Sequence, residues 1–542
     1  MRSPTAISFP ARRTLAAVLL TLLTACGGGG GGSASVTPSA APAFSSAPAL
    51  APACADCAAA DAGTYRGSGA GVWSYSNTSG QAVSVPVAIG GLGYGKAVTY
   101  ILTHDASAAT TQTAQGASAS VAETTALHGS EMQEFNRIGW RNLAGPARAT
   151  LSPAEASPPP VAPYAPGSVR SFHDKDNTLR TTSLVRRATA SDGRVIQLWL
   201  EAGEGGASRI TEAMLDQLLQ SYAGQGGVYE LAVGLGGPPW GPHNYPSLIA
   251  PAGQPLDIVL LNFNRDGQPM GLVGYFWARN AFRKTVEPYS NESVSVYLDT
   301  ETAYLADDGL AQTRSVLAHE TMHMLNFYRR NLVMGQLGYD TWLEEMTAMM
   351  LEDLLDAGTG GTRPPMLPRL YAYMTLGEYY CGLTGFKAPV GTRSCDGYAL
   401  GGTYGAYLLR QYGVSLFRDL LAAAVRDGQA LVDGELARRG TSLKQTTQRL
   451  QATVLGAMAP GEAPSGYGLP DRQDSGFALR ALDPSRHGGS LQLSAAFPDD
   501  TAPAPGGALA RRLAVVGSTL TDTVQVPPHT TLTVVIDNPP SR

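Results

Sequence analysis

The chain has 542 residues, of which 15% are charged and 44% hydrophobic, and its formal net charge is −5. This length allows about three or four domains, and the 63 Gly and 37 Pro residues, which follow no strict period, exclude a collagen-like or coiled-coil protein. The composition shows no excess of basic residues, so we expect no nucleic-acid partner. After residue 25, no apolar run reaches the ~18 residues that span a bilayer.

The first 25 residues have the pattern of a bacterial signal peptide. Arg12 and Arg13 precede the apolar stretch 15–23, which is too short for a stable transmembrane helix. The stretch ends in Leu23-Thr-Ala-Cys26, which resembles a lipobox, the motif whose cysteine is lipidated and becomes the mature N-terminus. Ordinary signal cleavage beside an incidental cysteine is the alternative.

The segment that follows, residues 26–62, is rich in Gly, Ser, Ala and Pro. Such a composition has no core to bury and is typical of a flexible tether. We therefore expect an exported bacterial lipoprotein of the cell envelope, facing the periplasm or the cell surface and attached to the membrane through the lipid on Cys26.

The remainder of the chain divides by its secondary-structure signals. Residues 63–150 carry short β-type runs between turn signals and are predicted to form an N-terminal β domain, and the Pro-rich stretch 151–168 is predicted to be a linker. Residues 169–460 mix strands with helices and become mostly helical after residue 312, whereas residues 461–542 are predicted to form a C-terminal β module. The individual predictions are a hairpin (Thr182–Ala188 and Val195–Leu200), a helix (Thr211–Tyr222), and strands at Ile258–Asn262, Ser293–Leu298, Leu491–Ala495, Leu513–Val516 and Thr531–Ile536.

Four cysteines remain besides Cys26, and an exported protein can oxidise them. Cys381 and Cys395 close a short Gly-containing loop, and we predict that they form a disulfide. Cys54 and Cys57 have the spacing of a redox or metal-binding pair, but no βαβ pattern follows them. A small local disulfide is therefore favoured over a redox centre at that position.

The stretch Ser315–Phe327 is the clearest candidate for a catalytic site, because it contains His319-Glu320-Thr-Met-His323. Histidines four residues apart lie one turn apart on the same face of a helix, so both imidazoles can bind one Zn²⁺. Glu320 projects beside them, where it can take a proton from a metal-activated water molecule. The alternative is two histidines that only pack or cap within a helix.

A second helix is predicted downstream, over Thr341-Trp-Leu-Glu-Glu345-Met-Thr-Ala-Met-Met-Leu-Glu352. With it, the sequence resembles the thermolysin-like gluzincin metallopeptidases, whose pattern here is W-L-N-E-G-x-x-x-x-x-E. The chain departs from that pattern at Glu344 and Met346. The resemblance is strongest to the hyicolysin family over roughly residues 190–425, and it rests on His319-Glu-x-x-His323-Met-x-Asn326-Phe327, Gly274-Tyr-Phe276 and Val296-Tyr-Leu298.

The resemblance implies an α+β fold, in which a gluzincin-type catalytic domain has a β-rich upper lobe with the zinc-binding helix and a helical lower lobe, flanked by small β modules. It also implies one Zn²⁺ per chain, held by His319, His323 and Glu345. Glu320 would be the general base and then the proton donor to the leaving amine. Glu352 would orient a ligand imidazole, and its alternative is a solvated charge on the helix face.

Two further residues are assigned from their position. Tyr404 is the candidate donor to the oxyanion, because it resembles the tyrosine that follows the zinc helices in related gluzincins; Tyr407 and Tyr412 compete with it, and a buried core tyrosine is the alternative. Glu344 is predicted to form a capping box with Thr341, which leaves Glu345 as the metal ligand.

The leading functional hypothesis is a zinc endopeptidase that acts on polypeptide substrates. One alternative is a non-catalytic adhesion or binding lipoprotein, although the intact Glu320 argues against a decayed site. The other is an aminopeptidase of the same clan, which would need an anchor for a free amine, commonly a Gly-x-Met-Glu-Asn strand, and no such motif precedes His319. The sequence indicates no protein partner.

Overall fold

The fold combines two larger β-sheets with a set of helices. The computed structural model describes residues 48–105, 129–156, 164–355, 364–498 and 502–537, and all of these belong to one compact unit, residues 48–542. The predicted signal peptide, Cys26 and the first part of the predicted tether lie outside the described residues.

The strands of the described residues are β1 (Ala51–Pro52), β2 (Gly71–Asn77), β3 (Val83–Gly90), β4 (Ala97–His104), β5 (Val169–His173), β6 (Leu179–Thr189), β7 (Val195–Glu201), β8 (Leu256–Leu261), β9 (Gly274–Phe276), β10 (Val294–Asp299), β11 (Arg472–Asp474), β12 (Phe477–Leu479), β13 (Ala508–Ala514), β14 (Thr519–Val526) and β15 (Thr530–Asp537). The predicted hairpin and the two predicted strands after it correspond to β6, β7, β8 and β10. Leu491–Ala495 is irregular rather than a strand: Leu491 and Leu493 pack on the core, and a backbone hydrogen bond joins Ser494 to Arg512 of β13 at 2.9 Å.

The α-helices are α1 (129–144), α2 (Pro153–Ala156), α3 (Glu212–Ala223), α4 (Val228–Gly236), α5 (Thr300–Leu305), α6 (Gly309–Asn326), α7 (Thr341–Leu354), α8 (Leu367–Thr375), α9 (Gly397–Ala422), α10 (Gly428–Ala437) and α11 (Leu443–Leu455). The middle of α1, Phe135–Gly139, is π-helical, and α6 continues into a π-helical turn, Phe327–Val333. Within the described part of the chain, no helix is long and apolar enough to cross a membrane.

A six-stranded sheet carries the candidate site at one edge. Its strand order is β5-β6-β7-β8-β10-β9, with β7, β8 and β10 parallel and the short strand β9 antiparallel to β10 at the edge. Strand β8 is buried along its whole length, with Ile258 and Leu260 in the main core and Val259 and Leu261 in a second cluster. Successive side chains of a strand point to opposite faces, so this sheet is covered on both faces.

The helices pack on one another and on the site edge of this sheet. Helix α6 contacts β9 and β10 and packs against α7, which in turn packs against α9. A fully buried ion pair between Arg410 of α9 and Asp353 of α7 joins two of these helices, with Nη1 and Oδ2 2.5 Å apart. The α+β fold predicted from the sequence is confirmed.

The other large sheet is built from both ends of the chain. Its order is β1-β2-β15-β4-β13, so the C-terminal strand β15 lies between the N-terminal strands β2 and β4. Strand β14 likewise pairs with β3 in a two-stranded sheet. The sequence predicts separate N-terminal and C-terminal β modules, whereas the structure shows shared sheets. Strand pairing over more than 400 residues of chain leaves no local sequence signal, which explains the difference.

Three of the segments predicted from the sequence also differ in the structure. The tether was predicted to extend to residue 62, but residues 48–62 are ordered: β1 pairs with β2, and Cys57 is fully buried. The predicted N-terminal β domain contains the helix α1, and the predicted linker contains the short helix α2. The structure links Cys381 to Cys395 and Cys54 to Cys57 as disulfides.

Candidate active site

Helix α6 presents His319, Glu320 and His323 at the edge of the six-stranded sheet. The helix forms here because no Pro or Gly interrupts residues 310–326, and its apolar side, including Leu317 and Met324, is buried in the core. The rings of His319 and His323, one turn apart, have centroids 4.7 Å from each other. Both imidazoles therefore face the same small volume.

Helix α7 brings a carboxylate to the two histidines. Glu345 is fully buried, and its Oε2 lies 3.0 Å from Nε2 of His319, while its Oε1 lies 3.7 Å from Nε2 of His323. One donor atom from each of the three residues lies within 4.8 Å of the others. Two imidazole nitrogens and one carboxylate, with a fourth position left for water or substrate, are the ligand set of a catalytic zinc site, and the donors present here fit that ion.

Two further carboxylates of α7 hold the outer nitrogens of the histidines. Nδ1 of His319 donates to Oε1 of Glu352 at 2.7 Å, and Nδ1 of His323 donates to Oε1 of Glu344 at 2.9 Å. When the proton of a neutral imidazole is on Nδ1, the lone pair of its Nε2 is available to a metal. The structure thus places Glu352 beside the imidazole that the sequence predicted it to orient.

The prediction that Glu344 forms a capping box with Thr341 is wrong. Helix α7 begins at Thr341 with Asp340 as its N-cap residue, and no side chain caps the helix start. A capping box needs the glutamate three residues after the cap, and Glu344 lies one residue too late for it. Its carboxylate instead accepts hydrogen bonds from His323 and from Nδ2 of Asn326, at 2.9 and 3.1 Å.

The buried charged groups of this site shift the pKa values of His319 and Glu320. Burial disfavours the charged imidazole of His319, but its hydrogen bonds to the carboxylates of Glu345 and Glu352 outweigh burial and raise the pKa of His319 well above its ordinary value. Burial raises the pKa of Glu320, partly offset by the charges of His323 and His319. A glutamate whose pKa is raised toward neutrality is a more effective proton acceptor and donor than an ordinary surface carboxylate.

The edge strand β9 lies directly on this site. The backbone N–H of Phe276 donates to Glu320, and Gly274–Phe276 line the same cavity as His319, Glu320 and His323. A Cβ atom at Gly274 would lie 2.5 Å from Cγ1 of Val316 on α6, so glycine at this position allows the strand to lie close to the helix.

Tyr404 does not reach this cavity, so the structure overturns its predicted role. Its side chain is buried, and its hydroxyl lies 2.6 Å from Oγ1 of Thr446 on α11. Six residues earlier on α9, Tyr398 lines the cavity, with its ring centroid 6.4 Å from that of His319. Six residues turn a helix by about 600°, or 240° beyond a full turn, which explains why only one of the two tyrosines faces the site.

Tyr398 is held in place by the start of α9. Oδ1 of Asp396 accepts from the backbone N–H of Tyr398 at 3.0 Å, as an N-cap, and the disulfide cysteine Cys395 immediately precedes it. Burial, and then the charges of Glu345 and Glu320, raise the pKa of Tyr398 well above its ordinary value. Its hydroxyl therefore keeps its proton and can donate a hydrogen bond.

Sequence reasoning missed Tyr398 and Gln133, which also lines the cavity. The Cys-Asp-Gly-Tyr398 order, a capping aspartate before a helix, is the signal that could have identified Tyr398. Gln133 comes from α1, far from the motif in sequence, and no local pattern marks it.

Comparisons with known proteins agree with the fold and the motif. The model of the family Peptidase M30 matches residues 176–537, well over half of the chain, and a domain of unknown function, DUF8571, matches residues 52–115. The match extends past the predicted range 190–425 and includes the C-terminal strands. A comparison with curated proteins finds no match.

One solved structure that is similar to the chain is a crystal structure of a mutant M1 zinc metallopeptidase from Deinococcus radiodurans bound to a Tyr-Ser-Ala substrate. It shows 14% sequence identity and a TM-score of 0.22, and the similarity covers 54% of this chain and 59% of that protein. The chain thus matches less than two thirds of that protein's length. With the family model covering both motif helices and five of the six strands of the sheet that carries them, the chain belongs to the Peptidase M30 family, the zinc peptidases that its His-Glu-x-x-His motif resembles.

Proposed function

We propose that this protein is a zinc-dependent endopeptidase, with His319, His323 and Glu345 as the metal ligands and Glu320 as the general base. The observation that carries the proposal is the convergence of both Nε2 nitrogens on the buried Glu345 carboxylate, with both Nδ1 protons committed to other glutamates. The family match supports the peptidase class.

The described residues have distinct roles in peptide hydrolysis. When bound, zinc lowers the pKa of a water molecule and polarises the scissile carbonyl. Glu320 takes the proton of the attacking water and passes it to the leaving amine, for which its raised pKa is suited. The hydroxyl of Tyr398 donates to the oxygen on which negative charge develops.

A polypeptide chain is the substrate that this cavity favours. Strand β9 ends the six-stranded sheet and lines the cavity beside Glu320, and an extended peptide can add to such an edge through main-chain hydrogen bonds. The acidic residues lining the cavity are Glu320, Glu344 and Glu345. All three already have a partner or a role, so among the described residues no lining carboxylate remains to bind a free amine, which favours an endopeptidase over an aminopeptidase.

The proposal is tested by measuring zinc content and the cleavage of an unfolded protein such as casein. Wild type should carry about one zinc per chain and cleave, whereas Glu320→Ala should keep the zinc and lose cleavage, because the base is not a ligand. Asp307→Ala, at an exposed position just before α6, is the control and should behave as wild type. A wild type that binds zinc but cleaves nothing would support the non-catalytic binding protein instead.

The position of cleavage separates the two peptidase classes. An endopeptidase should cut N-terminally acetylated peptides internally, and mass spectrometry of the fragments would locate the cuts. Cleavage that requires a free N-terminus and releases single residues would make the protein an aminopeptidase.

We also propose that the protein is exported and anchored to the membrane through a lipid on Cys26. The lipobox-like sequence at residues 23–26 supports this proposal, and so do the two disulfides, which are typical of oxidising compartments. Cys26→Ser should move the protein from the membrane fraction to the soluble fraction. Unchanged fractionation, with no acylated N-terminus in mass spectrometry, would contradict the anchor.

A further inference from the structure

Helix α1 lies outside the matched family region, which begins at residue 176, and yet it forms one wall of the candidate active site. Five of its residues line the cavity together with the motif residues: Gly129, Met132, Gln133, Asn136 and Arg137. The function proposed above does not use this helix.

Gln133 of α1 reaches the predicted metal ligand Glu345 directly. Its amide Nε2 donates a hydrogen bond to Oε1 of Glu345. The other carboxylate oxygen, Oε2, is the one that lies 3.0 Å from Nε2 of His319. Glu345 is fully buried, and the amide of Gln133 supplies a hydrogen-bond donor to its Oε1.

The same face of α1 is fixed to the edge strand of the sheet. Asn136, one turn after Gln133, donates from Nδ2 to the backbone oxygen of Phe276 at 2.9 Å, and its Oδ1 accepts from the backbone N–H of Ala278 at 2.8 Å. Gln133 and Asn136 therefore connect the metal-site helix α7 and the strand β9 through a single helix.

Helix α1 is also held firmly where it leaves the site. The backbone oxygen of Asn136 accepts from Nδ2 of Asn331 at 2.7 Å, and that of Arg137 accepts from Gly338 at 3.0 Å. Trp140 is completely buried, and its ring packs edge-on against Phe327 at a centroid distance of 5.5 Å. These contacts leave little freedom in the position from which Gln133 reaches Glu345.

We propose that Gln133 is a positioning residue of the active site, whose amide holds the Glu345 carboxylate in the orientation that binds the metal. The inference rests on the proposed zinc site. A neutral amide suits the task, because it satisfies one carboxylate oxygen without bringing a charge that competes with the cation. Removing a partner of a metal ligand typically weakens metal affinity about 10- to 100-fold.

The test compares the zinc dissociation constants of variants by competition with a chelator. Gln133→Met keeps the length and approximate shape of the side chain but cannot donate, and we expect its zinc affinity to fall about 10- to 100-fold. Gln133→Glu places a second carboxylate against Glu345, and its zinc affinity should fall further at neutral pH. Glu134→Gln, at a more exposed position next on the same helix, should bind zinc as wild type does.

Two controls separate this role from a purely structural one. The melting temperature of metal-free Gln133→Met should stay close to that of the metal-free wild type, and a large excess of zinc should restore its kcat. A Gln133→Met variant that binds zinc as tightly as wild type would overturn the inference while leaving the zinc site intact. A wild type that binds no zinc would overturn both the proposed function and this inference.

Discussion

The imidazole of His319 is held between two glutamates of the same helix. Its Nδ1 donates to Glu352 at 2.7 Å, and its Nε2 lies 3.0 Å from Glu345. The two glutamates are two turns apart on α7, and Oε2 of Glu352 also accepts from Oγ of Ser315 at 2.6 Å. Since both partners belong to one rigid helix, the ring has a single orientation, with Nε2 toward the metal position.

We expect the loss of either outer carboxylate to weaken zinc binding without abolishing it. Glu352→Ala and Glu344→Ala should each lower zinc affinity about 10- to 100-fold, because His319 or His323 loses the acceptor that fixes its tautomer. Glu345→Ala should lose zinc and activity together. Metal analysis after dialysis would check all three. If Glu344→Ala binds zinc like wild type, its bond to His323 has no role in metal retention.

The two tyrosines of α9 should respond differently to the same substitution. Tyr398→Phe should lower kcat by about 10²- to 10³-fold with little change in KM, as expected for a donor to a developing oxyanion. Tyr404→Phe should keep kcat and cost about 0.5–1.5 kcal/mol of stability, because it loses the hydrogen bond with Thr446, which lies outside the cavity. Steady-state kinetics and thermal unfolding distinguish the two, and a kcat loss confined to Tyr404→Phe would restore the original prediction.

The metal ligands and the general base could be predicted from the sequence, whereas the residues whose position depends on tertiary packing could not. The positions of His319, Glu320 and His323 follow from helix periodicity alone, and Glu345 follows from a family pattern. By contrast, the choice between Tyr398 and Tyr404 depends on where α9 faces the cavity, which tertiary packing decides. The predicted capping role of Glu344 was wrong because the helix begins one residue earlier than a capping box of Thr341 and Glu344 requires.

Residues from distant parts of the chain were the hardest to predict. Gln133 reaches Glu345 across 212 positions, and such a contact leaves no trace in spacing or periodicity. The same reason applies to the β-sheet shared by both ends of the chain. Individual strands such as β8 and β10 could be predicted from their apolar runs, but their partners could not.

The buried carboxyl of Glu378 predicts a pH dependence of stability. Burial raises the pKa of Glu378 from 4.5 to about 7, although it accepts a hydrogen bond from the N–H of Asp396 at 2.8 Å. Between these two pH values the folded protein binds a proton that the unfolded chain has released. The contribution of Glu378 to stability should therefore fall as pH rises from 4.5 to 7, by at most about 1.4 kcal/mol per pH unit.

Glu378→Gln should remove this contribution, because the amide stays neutral at every pH. Relative to wild type, the variant should gain stability at pH 8 and show little or no gain at pH 4. Thermal unfolding of both proteins at the two pH values checks the difference, and the other titrating groups cancel in the comparison. An equal difference at both pH values would show that Glu378 does not titrate in this range.

The disulfide between Cys381 and Cys395 should support the active site as well as the fold. The loop that it closes carries Phe386, whose ring packs edge-on against Tyr398 at a centroid distance of 5.3 Å. The double variant Cys381→Ser, Cys395→Ser should lose about 2–4 kcal/mol of stability, the usual range for a native disulfide. Its kcat should also fall, because the loop no longer holds the tyrosine.

Non-reducing peptide mapping of wild type should recover the two cysteines in one linked fragment. The double variant Cys54→Ser, Cys57→Ser provides the control, since that bridge spans three residues and has no described contact with the cavity. Equal loss of kcat in both double variants would indicate general destabilisation instead.

The position of β15 has a consequence for the order in which the molecule can be completed. This is the last of the described strands, and it lies between β2 and β4, with Leu532, Val534 and Ile536 fully buried. Until residues 530–537 leave the ribosome, β2 and β4 have no strand between them and their facing edges stay unpaired. Open strand edges readily pair with other chains. A chain that stops short of residue 530 therefore exposes unpaired edges of β2 and β4 that can aggregate. We therefore expect this sheet to close only after residues 530–537 have left the ribosome.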